Sequence, residues 1–128
     1  AESTVAMVTS AGISLKGDAP FNMTRELEEP LWGDPSYRCL PGTTTAAEID
    51  VNHLHINTDY IKQDINVILP LQRLDELVGV GEVGRVAPTA YSFYGFQWDR
   101  DSFLEKSIAP MIAQMKSEAV DEVLLTPA

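Results

Sequence analysis

The stretch 101-DSFLEKSIAPMIAQMKSEAVDEVLLTPA-128 decides the fold class of this 128-residue chain. Phe103, Leu104, Ile108, Met111, Ile112 and Met115 recur at helical spacing and form one apolar face. Asp99 or Asp101 can cap the start, and Lys116 falls in the last turn, where a cation meets the negative end of the helix dipole. Pro110 lacks the N–H for an i−4 bond. The helix is therefore kinked near residue 106, or it is two pieces with Pro110 near the start of the second. The run 121-DEVLLTPA-128 then reads as a strand, and strand, helix, strand is the crossover unit of a parallel sheet.

Working outward, 4-TVAMVTS-10 is β-branched and apolar and runs into Ala11-Gly12, the pattern of a buried strand. No helix follows. Residues 13–36 carry Gly17, Pro20, Pro30, Gly33 and Pro35 without a sustained period, so they read as a long excursion with one helical turn at 24-TRELEE-29. Two extended segments come next, 37-YRCLP-41 and 49-IDVNHLH-55, expected to pair with each other. The second places His53 and His55 on one strand face with Val51. Between them Thr45 and Glu48 have the spacing of a capping box.

After helix or turns at 57-NTDYIKQDIN-66, Leu71, Leu74, Leu77 and Val78 predict a helix, with Pro70 suited to its first turn and Gly79 to its stop. A strand near 84–87 and a Tyr/Phe-rich segment near 90–94 complete the chain. The expectation is a single α/β domain over residues 1–128, with a mainly parallel, Rossmann-like sheet and a long insertion after its first strand.

Lys plus Arg is 9 against 19 Asp plus Glu, a formal charge of −10. The cations are scattered singly, which disfavours nucleic acid and anionic membrane as partners. Hydrophobic residues make up 45% and charged residues 22%, the balance of a chain that folds. The single Cys39 has no internal disulfide partner, which suits a reducing compartment such as the cytoplasm. No apolar run approaches the roughly 20 residues of a membrane helix.

Gly79, Gly81 and Gly84 have the letter spacing of a dinucleotide fingerprint, but the fingerprint must follow a strand and open a helix. Here it follows a helix and leads into a strand, the context of a helix stop and turn. His53 and His55, with Asp50, Asp59 or Asp64 as an oxygen donor, have residue types that hold a metal; a polar strand face explains them equally well. Cys39 reads as a small, half-buried side chain, because Arg38 beside it points to the other strand face. Tyr91, Phe93, Tyr94, Phe96 and Trp98 divide between core packing and a pocket or interface. There is no Ser-His-Asp order, CxxC pair or Walker loop.

Several stretches together carry a resemblance: 7-MVTSAGISLKGDAPFN-22, 33-GDPSYRCLP-41, 64-DINVILPLQRLDEL-77, 82-EVGRVAPTAYSFYG-95 and 118-EAVDEVLLTP-127. They resemble the selenoprotein B family of glycine, sarcosine and betaine reductases, with the related selenocysteine-containing subunit of D-proline reductase. The resemblance implies reductive cleavage of a C–N bond in an amino acid or amine by a selenol or thiol. It places that residue just beyond Ala128, so this chain is expected to be the N-terminal part of a longer protein, inactive alone.

The resemblance further implies a pyruvoyl group on a partner reductase subunit, with no cofactor in this chain. Thr126, Pro127 and Ala128 are expected to flank the redox residue, and Ser10, Ala11 and Gly12 to face the same crevice. His53, His55 and Asp64 are second candidates, for acid/base work or orientation. Two rival functions are a non-catalytic subunit that docks a catalytic partner, and a metal-dependent hydrolase using His53 and His55. The uncovered last strand is expected to expose apolar surface and to favour a homo-oligomer.

Overall fold

The computed structural model describes residues 2–128. Strand β1, Thr4–Thr9, is buried at every position and lies at the centre of a mostly parallel sheet. On one side it pairs in parallel with β5, Arg85–Val86, at its start and with β6, Thr89–Phe93, at its end. On the other side β7, Glu122–Thr126, runs parallel to it from Val5↔Glu122 to Thr9↔Thr126. Strand β3, Tyr37–Pro41, adds antiparallel to β6 and forms the opposite edge.

The crossover from β6 to β7 is helical, with the irregularity that Pro110 demands. Helix α4, Arg100–Phe103, continues through a π-helical turn, Leu104–Ile108, into α5, Ala109–Ser117. Asp99 caps α4 by accepting from the Ser102 N–H at 3.0 Å. The wider π turn precedes the proline, so the donor that Pro110 lacks is absorbed at a register change and the helix is not broken. Met111 packs from α5 onto Ala6, Val8 and Tyr91, the core of one sheet face.

The excursion after β1 holds more regular structure than its punctuation suggests. Strand β2, Ile13–Leu15, pairs antiparallel with β4, Ile49–Val51, as a separate two-stranded sheet. The expected pairing of 37–41 with 49–55 is therefore replaced: β3 joins β6 and β4 joins β2. The physical reason is that Leu40, fully buried opposite Ala90, fills the main core, while Ile49 closes the β2 side of it.

Helix α1, Met23–Glu28, lies within the excursion, capped by Asn22 Oδ1 accepting from the Arg25 N–H. Helix α2, Asp59–Gln63, a 3-10 turn at Ile65–Val67 and helix α3, Leu71–Gly79, pack Ile61, Ile65, Leu71 and Leu74 on Val5 and Met7. The sheet centre is thus covered on both faces.

Several local expectations hold. The Thr45 N–H donates to Glu48 Oε2 at 2.7 Å, closing the capping box. The 79–84 glycines form a helix end and turn, with Gly81 at φ 79° leading towards β5. Cys39 differs: it is exposed, because β3 is an edge strand.

Candidate site at the carboxyl edge of the sheet

Parallel strands deliver their carboxyl ends to one edge, and here β1, β6 and β7 end together. The Ser10 N–H donates to the Thr126 carbonyl at 3.2 Å, and Ser10 Oγ accepts from the Ala128 N–H at 3.0 Å. The Ser10 carbonyl accepts from the Gly95 N–H at 3.1 Å, which ties the end of β6 to the same point. Thr126 is anchored from below, its hydroxyl donating to the Ile68 carbonyl at 2.6 Å. Ser10, Thr126 and Ala128 are thus brought together directly, and Pro127 lies between two anchored residues.

Ala11 and Gly12 turn the chain away from the sheet. Ala11 is buried and bridges to Tyr94. Gly12 has φ 67°, and a Cβ there would lie 2.5 Å from the Asn52 carbonyl oxygen. Only glycine permits both that left-handed backbone and that close approach. The Asn52 N–H returns a bond to the Gly12 carbonyl at 2.8 Å, so the exit of β1 is laid against the loop that carries the histidines.

His53 and His55 lie beyond β4, in that loop and not on a strand. They still come together, with ring centroids 5.7 Å apart and edge to face. The His53 ring stacks on Tyr94 at 4.5 Å, and the His55 ring packs on Phe96 at 4.8 Å. His53 Nδ1 accepts the His55 backbone N–H at 3.0 Å. Burial first, and then the neighbouring His55, hold the His53 pKa below its ordinary 6.5, against a smaller opposing pull from Glu26.

Glu26 is the residue that sequence reasoning passed over. It is the one buried side chain of α1, at 4% exposure, and it lies beneath the histidines. Its Oε1 meets His55 Nε2, and its Oε2 accepts from the Tyr94 hydroxyl. Burial and that bond to Glu26 raise the Tyr94 pKa well above 10.0, so the phenol stays a donor. An available signal was the helical turn itself, which places one acidic residue of 24-TRELEE-29 inward, yet periodicity cannot say which one.

Phe21, 2% exposed, packs on Tyr94 and carries the Arg38 guanidinium 4.3 Å above its ring, which pins α1 over this edge. Phe96 and the exposed Trp98 extend an aromatic wall outward, while Tyr91 and Tyr94 serve the core.

Asp64 does not join this group. It is exposed, and its Oδ1 accepts from the Asn66 N–H at 3.0 Å as the cap of the 3-10 turn, which lowers its pKa. Among the described residues no three His, Cys, Asp or Glu side chains are grouped to hold a metal ion. His55 Nε2 is engaged by Glu26, and His53 Nδ1 by a backbone N–H.

Cys39 lies in mid-strand, opposite Tyr91, with Sγ 3.4 Å from Gln114 Oε1. Partial desolvation of the thiol against α5, and next the Glu118 carboxylate, push its pKa up although the residue reaches the surface, the reverse of what a nucleophilic thiol needs.

Comparison with known proteins finds a curated relative. The chain is 33% identical over 123 residues to D-proline reductase subunit gamma of Acetoanaerobium sticklandii. The match covers 96% of this chain and 48% of that protein, so the chain spans about half the length of the curated relative it matches. Such identity over nearly the whole chain supports a relation to a reductase-subunit family. No family model and no solved structure matches. Among the described residues no helix is long and apolar enough to cross a membrane.

Proposed function

We propose that this chain is the N-terminal half of a reductase subunit of the selenoprotein B and D-proline reductase type. The subunit acts in reductive C–N cleavage of an amino acid or amine. The observation that carries the reading is the 33% identity spread over 96% of the chain.

A selenol or thiol just beyond Ala128 is part of the proposal. A residue there would follow Ala128, whose N–H is held by Ser10 Oγ, at the carboxyl edge where open parallel sheets place ligands. The chain's own residues would orient the reacting groups: Ser10 fixes the backbone of Ala128, and His53 and His55 offer acid/base function nearby. A pyruvoyl group is expected on a partner subunit, where it would activate the amine. Cys39 does not fit as its source, because it is tied to α5 in mid-strand through Gln114. A homo-oligomer and a cytoplasmic site of action complete the proposal.

The test is twofold. Sequencing past the Ala128 codon should show an in-frame selenocysteine or cysteine codon, followed by a continuation. The full-length protein with its partner subunit should then release amine from an amino acid with dithiol as electron donor, and replacing that residue by serine should abolish turnover. A stop with no continuation, or turnover unaffected by the serine variant, overturns the redox reading. Partner binding without turnover would favour a docking subunit.

A further inference from the structure

The Glu26, Tyr94 and His55 triad has an asymmetry that a purely structural tie does not require. Glu26 is 4% exposed, whereas the His55 side chain it holds is 49% exposed. A buried carboxyl needs hydrogen-bond donors, and Tyr94 already supplies one from the core. The second donor is an imidazole at the surface, which leaves its other nitrogen facing a different environment.

We propose that Glu26 and Tyr94 are positioning residues that keep the proton of neutral His55 on Nε2. His55 Nδ1 and His53 Nε2–H, on rings whose centroids are 5.7 Å apart, then offer an acceptor and a donor for the nitrogen and the carboxylate of an α-amino acid. The assignment follows the hydrogen bonds. With Glu26 as a carboxylate, which can only accept, its contact with His55 Nε2 requires that nitrogen to carry the proton, and the lone pair of neutral His55 is then on Nδ1. His53 Nδ1 accepts the His55 N–H, so the proton of neutral His53 is on Nε2.

Among the described residues, neither His55 Nδ1 nor His53 Nε2 has a hydrogen-bond partner. Two rings with centroids 5.7 Å apart thus present opposite functions. Both are locked, one by stacking on Tyr94 and the other by packing on Phe96. The lowered pKa of His53 supports its neutral form. Tyr94 receives the Leu54 N–H at 3.4 Å while donating to Glu26, so the loop backbone between the two histidines is held by the same hydroxyl.

The ligand class rests on the reductase reading, and the test separates the two. Histidine 15N NMR of the full-length protein near neutral pH, assigned with H53N and H55N variants, should show both rings as Nε2–H tautomers. Adding glycine should perturb both rings, methylamine mainly His55 and acetate mainly His53. Glu26→Gln should move His55 off the Nε2–H tautomer, leave His53 unchanged and weaken glycine binding about tenfold, the scale of a lost charge-assisted hydrogen bond. Tyr94→Phe keeps the ring stack and serves if Glu26→Gln does not fold; it should move His55 in the same direction.

His55 found as imidazolium or as the Nδ1–H tautomer overturns the proposal. So does glycine that leaves both rings unperturbed, or a His55 tautomer indifferent to both variants. None of these measurements uses turnover. A protein that passes them and shows no reductase activity overturns the reductase reading alone.

Discussion

Strands β1 and β7 lie side by side in one parallel register and have similar apolar character, yet their environments are opposite. Met7 is 1% exposed and its neighbour across the ladder, Leu124, is 43% exposed; Val8 is 5% exposed and its neighbour Leu125 is 69%. Residues paired in a parallel ladder share a face, so Leu124 belongs to the α3 side and Leu125 to the α5 side. Both helical layers stop short of β7. The difference teaches that composition makes a strand, while burial depends on what its neighbours bring to lie over it.

The largest expected effect breaks the covered side. Met7→Ala should cost about 2–5 kcal/mol of stability in urea denaturation, because it opens a cavity under α3. The matching Leu125→Ala on β7 should cost no more than about 0.5 kcal/mol, the range of ordinary surface changes. Equal costs would mean that β7 is covered in solution.

Gly12→Ala comes next. It combines left-handed backbone with a contact of 2.5 Å to the Asn52 carbonyl and should cost about 1–3 kcal/mol. It should also shift the His53 and His55 NMR signals, since the same contact seats their loop. Unmoved signals would uncouple the exit of β1 from the histidines.

The covered end of β6 should also report through pH. The unfolded Tyr94 hydroxyl ionises near 10.0, whereas the folded one is raised. The stabilisation it contributes is whole below pH 10 and is lost as pH rises towards the folded value, so Tyr94→Phe should flatten the alkaline limb of a stability curve. His53 has the opposite sign. Its folded pKa lies below 6.5, so the unfolded state takes up protons first and stability falls as pH drops below 6.5. A His53→Asn variant should lessen that acid loss.

The smallest effect on folding, and the most direct on association, is Leu125→Lys. It should leave the urea midpoint nearly unchanged while reducing self-association in light scattering at high protein concentration, because it places a charge on an open edge strand. Unchanged association would remove β7 from any interface between copies.

Much of the fold was legible along the chain because it rests on local rules. The β6–helix–β7 crossover, the distortion before Pro110, the capping box at Thr45 and the helix stop near Gly79 each follow from a few adjacent residues. The pairing of β3 and β4 was not, since both are short and the choice between partners depended on distant Ala90 and Ile13. The site divided in the same way. Ser10, Gly12 and Thr126 could be placed at the strand ends by strand polarity alone, and the structure joins Ser10 to the end of β7 through one backbone bond to Thr126 and one from the Ala128 N–H to its hydroxyl. Asp64 lay near enough in sequence to be suspected, but capping its own turn holds it there.

The sequence by itself determined a mostly parallel α/β chain whose strand ends meet at one edge, because side-chain period and strand direction are local properties. Only the tertiary structure decided that Glu26, from a six-residue helix in a proline-broken excursion, would lie under His55 and Tyr94. The physical reason is that a buried carboxyl is tolerated only where donors converge on it, and these donors come from residues 29 and 68 positions away along the chain.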